Sequence, residues 1–485
     1  MYLFRLGFLI PVAMSALLAE AVDALPLAQQ NSTALSPADE YISWREHLID
    51  GEQVNGIPLR GADGLVMADL DNDGHEDIVS VHEDSNHVRI AFASALPDRW
   101  ESVTLLEGGM VQEVEDADLA DMDGDGNIDI ILAVEGGALL LLQNPGSEAR
   151  IASNWQVYRP VNSLNRGSFI RAAAADFDGD GRPEIVAANK GEAQAGAGKK
   201  KRPTLFDFLS VWWADPRPLS VFRPVTGGQF DAAWSEQILA EVRLPINAEP
   251  IDLDGDGDLD IVGGGRGHQG LIWFENREGV FRSQWLDIDG WSNIFFGGIP
   301  FLTGQTLAFG DVNGDGRIDI LTQFQLDLFG WLEQPERLGE AWRAHPLGSI
   351  APDHVAAIHV ADLDGDNLMD VAIGGYSKGR RDRDEPGGYD RPLGRLTWFK
   401  KLDHEGRQWQ RHDISRRIRG MYDELLARDM DNDGDLDLVG TRGNSGRFDG
   451  VFWLEQRRSA EPVASFSTSR REDSAQVELP PTENN

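Results

Sequence analysis

The chain has 485 residues, with 44 Lys and Arg against 81 Asp and Glu, a formal net charge of −37. That charge excludes a general nucleic-acid binder, because the phosphate backbone would be repelled, and it opposes attraction to anionic membrane surfaces. A hydrophobic fraction of 41% allows a sizeable core, and the lack of Cys excludes disulfides, thiol catalysis and thiolate metal sites.

Residues 1–24 read as a signal peptide. Arg5 precedes an apolar run from Leu6 to Leu18 that is too short to span a bilayer, and Ala19-Glu20-Ala21 offers small residues for cleavage. Residues 25–42 read as a spacer. No later stretch is apolar enough to cross a membrane, so the expected product is an exported protein, secreted or periplasmic, with no stable membrane span.

From Asp69 onward one acidic segment recurs. The first copy is Asp69-Leu70-Asp71-Asn72-Asp73-Gly74-His75-Glu76-Asp77, and six more begin at Asp121, Asp176, Asp252, Asp311, Asp362 and Asp429. Small or apolar residues precede each copy and aliphatic residues follow it, so each loop joins two short strands. Most repeats continue with an aromatic or aliphatic strand, such as Val211-Trp212-Trp213, Trp273-Phe274-Glu275 or Trp453-Leu454-Glu455. A strand that usually opens on Trp comes next, as at Trp100, Trp155, Trp234, Trp342 and Trp409. Four antiparallel strands per repeat make a propeller blade. The seventh blade lacks its fourth strand, and Ser43 to Ile49 carries the missing pattern, so the N-terminal strand is expected to close the ring. The fold class is therefore all-β: a seven-bladed β-propeller over residues 43–456, followed by a disordered tail over 457–485.

Alternate Asp residues turn three carboxylates toward one point, a Gly at position six permits the left-handed backbone of a tight loop, and an acid at position nine can close the site from the far side. The candidate metal ligands are Asp69, Asp71, Asp73 and Asp77; Asp121, Asp123, Asp125 and Asp129; Asp176, Asp178, Asp180 and Glu184. In the remaining loops they are Asp252, Asp254, Asp256 and Asp260; Asp311, Asn313, Asp315 and Asp319; Asp362, Asp364, Asp366 and Asp370; and Asp429, Asp431, Asp433 and Asp437. All-oxygen ligation at this charge suits Ca²⁺ over Zn²⁺ or copper, up to seven ions in a structural role. An Asp-rich turn without a cation would suffer mutual repulsion. Asn313 replaces an Asp, Glu184 replaces an Asp at position nine, and Asn367 replaces the Gly of the sixth loop.

These loops, with the Trp273-Phe274-Glu275-Asn276 strand, resemble the FG-GAP/VCBS repeat family, whose cation loops are similar to those of integrin α-subunit propellers. The resemblance spans Trp44 to Glu455. It implies a calcium-binding propeller, and the family includes adhesion modules, carbohydrate-binding proteins and propellers similar to polysaccharide lyases and sugar dehydratases. In such a fold the second-to-third strand connections lie opposite the ion loops. They carry Arg266, His268, Arg380, Arg381, Tyr389 and Arg442, with Trp291 in another long connection. Arginine forks and aromatic rings suit an anionic or sugar ligand. The expected function is a binding or adhesion module for a glycan or anionic polysaccharide, or for a protein ligand, acting as a monomer. The alternative is a carbon–oxygen lyase or sugar dehydratase-like enzyme on the same face; no linear hydrolase, P-loop or dinucleotide motif stands in the chain.

Overall fold

The computed structural model describes residues 31–468 apart from 136, 165, 192–214, 226–229, 231–232, 266–269, 290–303, 326, 352, 377–394, 417–419 and 444–445. Seven sheets follow one another along the chain: six are built around four antiparallel strands consecutive in sequence, and the seventh takes its fourth strand from the other end of the chain. Blade 1 is Ala62–Ala68, Asp77–His82, His87–Phe92 and Glu101–Glu107; blade 2 is Val114–Ala120, Asp129–Val134, Ala138–Gln143 and Gln156–Tyr158. Blades 3 to 6 begin at Ser168–Ala175, Pro245–Ile251, Leu307–Gly310 and His354–Ala361. Among the described residues the only α-helix is Glu52–Asn55, and no helix is long and apolar enough to cross a membrane.

The burial of the strands follows from sandwiching each sheet between two others. Every residue of Asp129–Val134 is buried, which is why Ile130-Ile131-Leu132-Ala133 shows no polar alternation. Outermost strands alternate or lie exposed, as in Arg282–Trp285. The core is correspondingly divided into clusters between neighbouring blades. Val79, Ile90, Ile130 and Leu140 join blades 1 and 2, and Ile131, Leu141, Phe169 and Phe222 join blades 2 and 3. The series closes with Ile49, Ile78, Val439 and Trp453 between blades 7 and 1.

Blade 7 contains Leu425–Arg428, Asp437–Arg442 and Gly450–Ser459, and its fourth strand is Tyr41–Gly51 from the other end of the chain. The pairing is antiparallel, with Trp44 opposite Gln456 and His47 opposite Trp453. The ring is closed as the sequence indicates.

Three features differ from the sequence expectation. The third strand of blade 3 is Pro216–Pro224, paired with Glu184–Gly191, and the Val211-Trp212-Trp213 run lies outside the described residues. The prolines at 216, 218 and 224 conceal a buried Leu219-Ser220-Val221-Phe222 centre. Residues assigned to a tail are partly structured: Gly450–Ser459 runs past residue 456, and Phe466–Thr468 adds a fifth strand, parallel to Tyr41–Gly51, with Phe466 buried. The spacer is partly structured too, since Asn31 bridges Ala464 and Ala34 is buried.

Candidate metal centres and the opposite face

Each acidic loop joins the first strand of a blade to the second, so all seven open on one side of the ring. In the first loop the Asp69 carboxylate accepts the N–H of Asp73 at 3.0 Å and of Gly74 at 2.9 Å. Asp71 accepts the Asp73 N–H at 3.2 Å, and Asp73 accepts that of His75 at 3.0 Å. These side-chain turns wind the backbone around the carboxylates. Position six is left-handed in the loops, with φ of 91° at Gly74, 89° at Gly126 and 65° at Asn367. Asn is among the residues that tolerate this region, which accounts for the sixth loop keeping the same turn.

The ninth acid serves a further role. Asp77 is fully buried and its two oxygens accept the N–H of Leu70 at 2.9 Å and of Ala93 at 2.8 Å, latching the loop to the end of the third strand. Asp129 repeats this with Met122 and Asn144, Asp319 with Val312 and Gln334, and Asp437 with Met430 and Gln456. Burial pushes these carboxyls up, to about 7 at Asp77, Asp129 and Asp319, about 6 at Asp260 and about 8 at Asp370 and Asp437. Glu184 is likewise raised to about 7 by burial.

Oxygens of Asp69, Asp71 and Asp77 lie within 4.8 Å of one another, as do those of Asp121, Asp123 and Asp129, of Asp176, Asp178 and Glu184, and of Asp252, Asp254 and Asp256. A donor set made only of carboxylate oxygens fits a hard divalent cation. The acids at positions one, three, five and nine would hold it, and the ion would supply charge neutralisation.

Of the residues expected on the opposite face, Arg266, His268, Trp291, Arg380, Arg381 and Tyr389 lie outside the described residues. Arg442 is described, and it is an internal group: 2% exposed, it donates to Glu46 at 3.0 Å and to the Phe448 carbonyl at 2.6 Å. Nothing in its loop-flanking sequence distinguishes an internal ion pair from a free surface arginine. The sequence reading missed acids that cluster on this side of blades 1 and 2. Oxygens of Glu83, Glu115 and Glu135 come within 4.8 Å of one another, and Lys190 pairs with Glu135. Nearby, Arg171 sits 2.8 Å from Asp116 and 3.5 Å from Glu424, two acids whose carboxyls burial pushes up. These residues come from separate repeats without a shared motif, so no linear signal marks them.

The fold and its loops define a repeat propeller. A family model described as FG-GAP-like repeat matches residues 69–132, 121–187 and 252–322, so the chain carries three detected FG-GAP-like repeats. Such repeats on a β-propeller suggest a binding module. No curated protein matches the chain. Among solved structures it is similar to an Agrocybe aegerita lectin described for recognition of non-reducing terminal N-acetylglucosamine, at 15% identity over 76% of this chain and 84% of that one, TM-score 0.41. It is also similar to BBS1N in complex with ARL6DN, at 12% identity over 86% and 97%, TM-score 0.46. A third is YCF48 from Cyanidioschyzon merolae, at 9% identity over 85% and 98%, TM-score 0.47. Likenesses at this level say nothing of what the chain binds.

Proposed function

We propose that the protein is an exported, Ca²⁺-stabilised binding propeller that takes a glycan or anionic polysaccharide on the face away from its acidic loops. The observation that carries this reading is the one-sided placement of those loops. The opposite side is left to the connections from Gly191 to Pro216, Gly265 to Leu271 and Tyr376 to Arg395, which leave adjacent strand ends there. Their sequences supply Arg266, His268, Arg380, Arg381 and Tyr389. The acids of blades 1 and 2 repel an anionic chain, which favours a seat over blades 3 to 6. The packed sheets fix the strand ends that flank these connections, which limits the ordering cost of binding.

The test is a polysaccharide panel, neutral and anionic, run with Ca²⁺ on the full chain and on Arg380→Ala/Arg381→Ala. Retention of the full chain on an anionic polymer, lost in the double variant and without any release of product, is the expected result. Retention of neither protein on any polymer would overturn the reading. Release of an unsaturated uronate would replace it with a lyase.

A further inference from the structure

The seven loops share a sequence pattern, but their outward carboxylate oxygens are not equally available. At positions three and five one oxygen of each acid accepts a backbone N–H: Asp364 from Asp366 at 3.2 Å, and Asp366 from Leu368 at 2.9 Å in the sixth loop. The second oxygens are the ones left for a cation. In the sixth loop they already face one. The Lys400 ammonium pairs with Oδ2 of Asp364, lies 3.7 Å from Oδ2 of Asp366, and donates to the Leu35 carbonyl at 2.9 Å. Asp364 is fully buried there.

The first loop repeats the arrangement with a residue from the next blade. Arg150 Nε is 2.5 Å from Oδ2 of Asp71, and a terminal nitrogen of the same guanidinium is 3.0 Å from Oδ2 of Asp73. A third contact to Glu101 at 3.0 Å and a position 4.9 Å from the Phe92 ring centroid hold the guanidinium in place. Among the described residues, no cationic side chain pairs with Asp254 or Asp256 of the fourth loop, or with Asp431 or Asp433 of the seventh.

The register explains why Lys400 reaches its loop. It stands on the third strand, opposite the ninth acid Asp370, next to the paired Val371 and Phe399. The same place holds Glu275 in blade 4, Glu333 in blade 5 and Glu455 in blade 7. One blade thus presents an ammonium to its acidic loop where three others present a carboxylate.

We propose that Arg150 and Lys400 are built-in counter-cations of the first and sixth loops, which these side chains neutralise in place of a divalent ion. This rests on the reading of the loops as cation sites. A divalent ion entering either loop must displace a cation that is anchored from elsewhere in the fold, by Glu101 in one case and by the Leu35 carbonyl in the other. The fourth and seventh loops impose no such exchange. The chain therefore divides its repeats between metal-dependent and metal-independent loops.

Bound Ca²⁺ per chain, measured by equilibrium dialysis on the full-length protein, Lys400→Glu and Arg150→Gln, tests this. Lys400→Glu installs the residue found in blades 4, 5 and 7, and Lys400→Met keeps the aliphatic stem should the glutamate variant fail to fold. Each single variant is expected to bind one equivalent more than the parent, and in chelator each should melt below the parent because its loop has lost its cation. Crystals of the parent grown with Ca²⁺ should show ions in the fourth and seventh loops and none in the sixth. An ion beside Asp364 in the parent, or uptake by the parent with no gain in any variant, overturns the proposal alone. No uptake by parent or variants overturns the loop reading beneath it.

Discussion

Asp50 and Arg89 form an ion pair 2.6 Å long with both side chains 1% exposed, although one belongs to the N-terminal strand of blade 7 and the other to the third strand of blade 1. Asp50 also accepts the Gly51 N–H at 2.7 Å, and a second Arg89 nitrogen lies 3.2 Å from Oδ1 of the same carboxylate. The seam of the ring therefore has a polar clasp beside its apolar cluster of Ile49, Ile78 and Trp453. Desolvating two charges makes such a pair of little net benefit, yet removing one partner leaves the other buried and alone.

Asp50→Ala should accordingly lower the unfolding free energy by about 3–5 kcal/mol, the cost of orphaning a buried charge. Asp50→Leu combined with Arg89→Met should cost much less than Asp50→Ala and Arg89→Ala added together. Denaturant titrations of the four proteins supply the comparison, and an Asp50→Ala midpoint equal to the parent's would deny the clasp any role.

Phe466 is 1% exposed on the fifth strand of blade 7. Its replacement by Ala should cost about 3–5 kcal/mol, the range for emptying a buried phenylalanine site. Removing residues 469–485 should leave the melting temperature unchanged. A chain ending at residue 460 that melts like the parent would show that the added strand contributes nothing.

The pH response follows from the ninth acids. Unfolded Asp titrates near about 4, whereas burial raises Asp77, Asp129 and Asp319 to about 7 and Asp370 and Asp437 to about 8 in the folded protein. Between those values the native state binds more protons than the unfolded state, so stability falls as pH rises. In chelator, the melting temperature should decline from pH 5 to pH 8. Saturating Ca²⁺ should flatten that decline through the loops left open to an ion, since the ion favours their ionised carboxylates; Asp77 and Asp370, in the loops that carry their own counter-cations, should keep their share of it. A melting temperature in chelator that climbs over this range would contradict the assignment.

Gly126→Ala isolates the backbone cost of the loop. The residue has φ of 89°, and an added Cβ meets nothing within 4 Å, so no steric clash contributes. The loss should be about 1–2 kcal/mol, the left-handed penalty. Asn367→Gly in the sixth loop should be neutral or slightly stabilising. Thermal melts of both variants check the pair.

Much of this architecture was legible because it repeats. One acidic motif and one Trp-led strand fix seven blades, and the displaced strand at Trp44 reveals the ring closure. Blade 3 resisted because Pro216–Pro224 reads as a breaker, while Val211-Trp212-Trp213 looks like a strand. The contacts that distinguish one loop from another were not legible: Arg150 meets Asp71 from 79 residues away, and Lys400 meets Leu35 across 365. The same limit applies to Arg442, whose partner Glu46 is 396 residues distant.

The bridge between Asn31 and Ala464, close to the parallel pairing of Trp44 with Phe466, brings the two ends of the described chain together on the rim of a single blade. A chain cut back to residues 31–468 could be joined across that gap by a short peptide and reopened between any other two blades without parting the seam. Fusion partners joined to such a shortened chain at residue 31 or 468 would start beside blade 7, at its outer edge.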